Sequence, residues 1–223
     1  MNQALILFTR VPLAGKTKTR LQQALTPDQC ARAQKAFLRD LTGNCRGPWD
    51  MLVFYGGEGP VSVLQQLLPE QKVFYPQEGS GLGEKMDRAI QKTLALGYDR
   101  CVLVGSDLPE LRRDRIGAAF DALDRADIVL GPTPDGGYYL IGCKAPCPKL
   151  FAGQRYGGST VLENTQKAAR AAGLGTEKIP GLSDVDEPRD LEALARRLET
   201  ASSADCPNTR AFLREIGWMK GTP

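Results

Sequence analysis

The chain contains no histidine among its 223 residues. That absence excludes a Ser-His-Asp triad, a Cys-His pair, His-ligated zinc and any imidazole general base. The remaining chemistry must come from carboxylates, Lys and Arg, hydroxyls, thiols, backbone N–H groups or a bound metal. Aromatic residues make up only 7% of the chain, and no run approaches the ~18 apolar residues of a membrane-spanning helix. Charge of one sign is also scarce, with Lys+Arg 29 against Asp+Glu 26 and a net +3. Such a balance gives no reason to expect nucleic acid or an anionic membrane as partner.

The N-terminal segment has a short apolar run, Ala4–Phe8, with no basic flank, long apolar stretch or small-residue cleavage site. The expectation is therefore a cytoplasmic protein without a signal peptide or integral membrane association. Cys30, Cys45, Cys101, Cys143, Cys147 and Cys206 are scattered and form no C-x-x-C. They read as reduced, structural residues. The 42% hydrophobic and 25% charged composition is ordinary for a globular protein, and a chain of this size buries roughly 70% of its unfolded surface.

Strand and helix patterns alternate along the sequence. Strands are expected at Ala4–Thr9, Met51–Tyr55, Val73–Tyr75, Cys101–Val104, Ile128–Leu130, Tyr138–Ile141 and Lys178–Pro180. Thr26, Pro27 and Gln29 read as an N-cap, a first-turn proline and a capping box, with Gly43 as the stop. Further helices are expected over Val61–Leu68, from Glu84 to Gly97, behind an Asp114 cap, from Ser159 to Gly173, from Pro188 and around Phe212–Ile216. The alternation predicts a single α/β domain, a mainly parallel mixed sheet flanked by helices, over 1–200. Residues 201–223, opening with a linker-like Ala201–Asp205, read as a C-terminal helical appendage.

Ligands of open α/β sheets bind beyond the carboxyl ends of the strands. Four segments fall there. After the first strand, Gly15-Lys16-Thr17-Lys18-Thr19-Arg20 places three cations and two hydroxyls behind a glycine, a loop suited to nucleotide phosphates. It does not match a Walker A loop. After Cys101–Val104 comes Gly105-Ser106-Asp107-Leu108-Pro109, where Asp107 can hold a hard cation or cap the following helix. The stretch Gly131–Tyr139 contains Asp135-Gly136-Gly137, either a binding loop or a plain turn, with Tyr138 or Tyr139 available to a pocket. In Ser183–Leu191, Asp184 and Asp186 share a face if extended and form a second metal arm; alternatively Asp186 caps the helix and Asp190 sits in its first turn.

In order, the segments P-x-x-G-K-x-K-T-R-L, L-G-E-x-M, G-S-D-L-P-x-L, G-P-x-x-D-G-G-Y-Y-L-I-G and D-V-D-x-P-x-D-L run through the chain. Together they resemble the bacterial GT-A-type nucleotide-diphospho-sugar transferases, in the group called family A glycosyltransferase-like, over roughly Leu5–Leu194. Wider relatives include molybdenum-cofactor and 2-phospholactate guanylyltransferase-like enzymes. The resemblance implies a Rossmann-like GT-A fold. It puts nucleotide phosphates at Gly15, Lys16, Lys18, Thr19 and Arg20, with Gly81, Leu82 and Gly83 beside the base or ribose. Ser106, Asp107, Gly136 and Gly137 complete the nucleotide site. Mg²⁺ or Mn²⁺ is expected on Asp107, with Asp184 or Asp186 as the second arm. The first loop lacks the L-x-A-G-x-G-T-R-M form of sugar nucleotidyltransferases, and there is no D-x-D at the acid motif.

The leading expectation is a metal-dependent glycosyltransferase that takes a nucleotide-diphospho-sugar donor. Lys16, Lys18 and Arg20 would support the leaving diphosphate, and Asp135 would be the candidate base for a small-molecule acceptor. The alternative is a nucleotidyltransferase joining a nucleoside triphosphate to a phosphorylated acceptor with pyrophosphate release, which needs no base. A non-catalytic nucleotide-binding module is a third reading.

Overall fold

A computed structural model describes residues 1–202 and 204–219. The expected linker Ala201–Asp205 therefore includes one position, Ser203, outside the described residues, as are positions 220–223 of the C-terminal segment. Among the described residues, seven strands form one sheet in the order β3-β2-β1-β4-β6-β5-β7. They are β1 (Gln3–Arg10), β2 (Asp50–Gly56), β3 (Phe74–Pro76), β4 (Arg100–Gly105), β5 (Ile128–Pro132), β6 (Tyr138–Cys143) and β7 (Thr176–Lys178). Pairings β1–β2, β1–β4, β2–β3 and β5–β7 are parallel; β6 runs antiparallel to both β4 and β5. The sheet is thus mainly parallel and mixed, as expected.

Helices cover both faces: α1 (Pro27–Asn44), α2 (Ser62–Leu67), α3 (Leu82–Ala95), α4 (Arg113–Ala122), α5 (Val161–Ala171), α6 (Pro188–Thr200) and α7 (Pro207–Glu215). Alternate side chains of the central strands explain why both faces need cover. Leu5 and Leu7 of β1 join Val102 and Val104 of β4 and the apolar stripe of α4 on one side. Ala4, Ile6 and Phe8 join Leu103 and the α3 stripe of Met86, Ala89 and Ile90 on the other. A third cluster holds Phe37 of α1, Leu191 and Leu194 of α6, and Phe212 and Leu213 of α7.

The α1 start is as expected: Thr26 and Gln29 form the reciprocal capping box ahead of Pro27. Several other boundaries differ. Helix α1 passes through Gly43 and ends at Asn44, because the last turn is held by the Cys45 N–H to the Leu41 carbonyl. Arg112 rather than Asp114 is the N-cap of α4, and Asp114 lies in the first turn, where its charge suits the helix dipole. Helix α5 begins at Val161, two residues after Ser159. The edge strand β7 occupies 176–178 instead of 178–180, its register set by pairing with Ile128–Leu130. Glu187, not Asp186, caps α6, with Asp190 completing a capping box. All six cysteines are free and buried. Burial pushes the Cys45, Cys101 and Cys206 thiols up to about 12, so they remain protonated and unreactive. Among the described residues, no helix is long and apolar enough to cross a membrane.

Candidate nucleotide and metal site

A cleft of about 560 Å³ opens over the carboxyl ends of β1 and β4. Its lining includes Thr17, Lys18, Thr19 and Arg20 from the loop after β1, Ser106 and Asp107 from the end of β4, and Asp184 and Asp186 before α6. All four expected segments therefore reach the cleft, the Gly131–Tyr139 stretch through Tyr138 and Tyr139, although more than 160 residues of sequence separate the first from the last. The parallel pairing of β1 with β4 brings the first two together. The acidic segment Asp184–Asp186 is attached by the Val185 N–H donating to the Asp107 carbonyl at 2.9 Å. Val185 is buried with α1 and α6, which leaves its neighbours Asp184 and Asp186 facing the cleft as extended alternation requires.

Lys18 is the centre of this junction. Its backbone is left-handed, with φ 49 and ψ 40, an uncommon conformation for a residue with a long side chain. That turn carries the side chain inward until only 2% of it is exposed. The ammonium lies 2.6 Å from Asp107 Oδ1 and donates to the Val185 carbonyl at 2.6 Å. It also lies 5.1 Å from the centre of the Phe37 ring. Lys18 thus ties the β1 loop, the β4 end and the acidic segment into one unit. Its charge is committed to Asp107 and is not presented freely to a phosphate.

Arg20 is different. Its guanidinium is exposed and meets Asp186 at 3.0 Å, on the cleft surface. Ser106 is buried and accepts from Gln34 Nε2 at 2.8 Å, which fixes the β4 end against α1. Burial, with Asp186, Asp107 and Asp135 nearby, pushes the Asp184 carboxyl up to about 6. Burial and Asp107 also raise Asp186, against the opposing pull of Lys18 and Arg20. Carboxylates held this close gain from added positive charge.

No group of three or more Asp, Glu, Cys or His side chains is poised to cage a metal ion by itself among the described residues. The arrangement fits Mg²⁺ in another way: one or two carboxylates, with phosphate oxygens and water filling the other positions. Asp107 with Asp186 or Asp184 provides such a donor set, and all three face the same cleft.

The other expected residues are divided between the cleft and its surroundings. Gly15, with φ +75, and Lys16 are not among the lining residues, and Lys16 pairs with Glu58 at 3.0 Å on the surface. Leu82 lines the cleft, whereas Gly81 is the N-cap of α3 and Gly83 packs against Tyr156 and the Phe151 carbonyl. Asp135, Gly136 and Gly137 form the turn between β5 and β6. There Asp135 Oδ1 accepts from Thr133 Oγ1 at 2.5 Å and from the Gly137 N–H at 3.1 Å. Tyr138 and Tyr139 both reach the cleft.

Sequence reasoning missed Arg10, Gln34, Gln77 and Lys85, all of which line it. Arg10 and Lys85 have no acidic partner among the described residues. A positively charged residue at the end of a strand was the available signal for Arg10. Lys85 sits one turn into α3, inside the L-G-E-x-M segment.

Residues 42–158 match the family described as an uncharacterized protein conserved in bacteria, DUF2064. The chain belongs to this family. The match ends inside the loop before α5, so it includes Asp107 but neither the cation loop nor Asp184 and Asp186. Among curated proteins, this DUF2064 chain is 31% identical over 148 residues to a phosphoenolpyruvate guanylyltransferase of Sphaerobacter thermophilus, covering 64% of the chain and 69% of the relative. It is 23% identical over 202 residues to a 2-phospho-L-lactate guanylyltransferase of Methanothermobacter thermautotrophicus, covering 89% and 85%. Among solved structures, a protein of Desulfovibrio desulfuricans G20 described as a nucleotide-diphospho-sugar transferase is 34% identical with a TM-score of 0.88, over 97% of this chain and 96% of that one. These similarities accord with the transferase family and fold that the sequence motifs imply.

Proposed function

We propose that this DUF2064 protein is a nucleotidyltransferase: an acceptor phosphate oxygen attacks the α-phosphorus of a nucleoside triphosphate, and pyrophosphate leaves. One bond forms between that oxygen and the α-phosphorus, and the bond from the α-phosphorus to the bridging oxygen breaks. The observation that carries this reading is the pairing of cleft carboxylates with cations, Asp107 with Lys18 and Asp186 with Arg20. A carboxylate already paired to a cation is a poor proton acceptor, but it is well placed to organise phosphate chemistry.

Phosphoryl-type transfer to an ionised phosphate needs position and charge neutralisation, with no base to create the nucleophile. That requirement suits a cleft without histidine, in which Asp135 is engaged in a surface turn. Arg20, Arg10 and Lys85 would bind the triphosphate and the acceptor phosphate. Lys18 would hold Asp107 in place. When bound, Mg²⁺ or Mn²⁺ would be held by Asp107 with Asp186 or Asp184 and would neutralise charge on the phosphate oxygens. The guanylyltransferase names of the two curated relatives support nucleotidyl over glycosyl transfer.

Glycosyl transfer from a nucleotide-diphospho-sugar is the second reading. The description of the Desulfovibrio structure favours it. So does Asp184, which has no cationic partner among the described residues and, at about 6, has a carboxyl suited to proton transfer. Product analysis separates the two. Incubation with nucleoside triphosphates and small phosphorylated acids should release pyrophosphate. Release of a nucleoside diphosphate from a nucleotide sugar, with no pyrophosphate from any triphosphate, would replace the proposal with glycosyl transfer.

A further inference from the structure

The side chain of Gln77, just beyond β3, is locked by its own hydrogen bonds. Its Nε2 donates to the Thr9 carbonyl at 3.0 Å and to the Phe54 carbonyl at 3.1 Å, and its backbone N–H donates to the Tyr55 carbonyl at 2.8 Å. Both amide protons are therefore committed, and the two carbonyls fix which end of the amide is nitrogen. What remains is Oε1. It accepts no hydrogen bond among the described residues and is not one of the polar atoms sealed from solvent. Gly56 makes room for it, since a Cβ there would collide with Oε1. A rigid acceptor with no partner thus stands in a residue that lines the cleft.

Its position relative to the charged centre is informative. Asp107 lies at the end of β4, while Gln77 bonds to β1 and β2. At ~4.8 Å between neighbouring strands, the β4 and β2 ends are separated by roughly 10 Å. The ion-paired carboxylates Asp107 and Asp186 thus lie on the β4 side of the cleft and Gln77 on the β2 side, where Arg10 also packs beside Gly57. Leu82 also lines the cleft and is 46% exposed, one of few large apolar side chains left open to water. An apolar surface and a fixed acceptor two strands away from Asp107 match the needs of a flat, hydrogen-bonding heterocycle.

We propose that Gln77 selects the base of the nucleotide, its fixed Oε1 accepting from N–H groups on the pairing edge and favouring guanine. The preference follows from the edge chemistry. Guanine places N1–H and the N2 amine side by side, so one oxygen with two lone pairs can accept from both. Adenine and cytosine flank their single amine with a ring-nitrogen acceptor, and uracil flanks N3–H with two carbonyl oxygens; each brings a lone pair toward Oε1. This inference rests on the nucleotide reading of the cleft.

The test is calorimetric titration of the full chain with GTP, ITP, ATP, CTP and UTP in the presence of Mg²⁺. ITP keeps N1–H but lacks the N2 amine. The wild type should bind GTP about tenfold more tightly than ITP, the scale of one hydrogen bond. Gln77→Met should bring that ratio close to one. A role confined to joining β1 and β2 would instead weaken all five nucleotides together and leave the ratio unchanged. Equal affinity for GTP and ITP in the wild type overturns the inference without any variant having to fold. An unchanged ratio in a folded Gln77→Met protein overturns it as well, while leaving nucleotide binding intact. Failure of all five nucleotides to bind overturns the nucleotide reading itself and this inference with it.

Discussion

Removing the ammonium of Lys18 would leave Asp107 and the Val185 carbonyl with no shared donor in a cleft where other acidic groups already crowd together. Deleting one partner of a largely buried pair is more costly than the pair's own net contribution. Lys18→Met should therefore lower stability by about 2 kcal/mol in chemical denaturation and also weaken Mg²⁺-dependent nucleotide binding. Arg20→Met, at an exposed pair, should leave stability within ~0.5 kcal/mol while weakening triphosphate binding. Equal stability losses in both variants would contradict the distinction between a buried tie and a surface ligand. At Asp184, the sign of the pH dependence is opposite to that of a salt-bridged carboxylate. Its carboxyl titrates near 6, above the ordinary 3.8, because of burial and the Asp186, Asp107 and Asp135 charges. Its contribution to stability is thus fully present below 3.8 and lost as pH rises through about 6. In chelator, Asp184→Asn should melt higher than wild type at pH 8, and the two curves should converge near pH 4. A lower melting temperature for the variant at pH 8 would contradict this account.

Elements hold the site through a few identifiable contacts. Helix α7 docks its N-terminus on α1 through buried Asp40. That carboxylate accepts from the Asn208 and Thr209 N–H groups at 3.0 and 2.7 Å and from their side chains at 2.8 and 2.6 Å. Asp40→Ala should cost about 3 kcal/mol in denaturant titration, because four donors lose one charged acceptor. The turn between β5 and β6 depends on Gly136, whose φ is +88 and whose Cβ would overlap the Ser159 carbonyl. Such elements were partly legible in the sequence. The apolar runs of β1, β2 and β4 fell within one or two residues of their observed limits, and Thr26-Pro27-Gln29 marked the start of α1 correctly. Strong local signals of this kind act through backbone hydrogen bonds only a few residues apart. The α4 cap was misplaced by two residues, and α6 begins at Pro188 as expected but is capped by Glu187 instead of Asp186, since several polar side chains near each start could serve and only the folded backbone selects one.

At the scale of the molecule, the convergence of distant segments was foreseen from the rule that ligands sit at the strand ends, and Lys18, Arg20, Ser106, Asp107, Asp184 and Asp186 do share one cleft. The direction of Lys18 was not legible, because a run of basic residues carries no sign of the left-handed turn that buries one of them. Gln77 was not legible either: its interest lies in hydrogen bonds to two other strands, which sequence spacing does not reveal. The resulting arrangement has paired carboxylates and cations at the β1 and β4 ends, with a neutral acceptor toward β2. On the proposed reading, this arrangement holds a nucleotide while phosphorus chemistry proceeds at one end. The most direct measurement is the fate of the α-phosphorus, followed by labelling GTP at that position and incubating it with Mg²⁺, the protein and a panel of small phosphorylated acids. Label should pass into an acceptor-linked product while unlabelled pyrophosphate accumulates. If all label stays in GTP, while a nucleotide sugar yields nucleoside diphosphate and a transferred sugar, nucleotidyl transfer is contradicted.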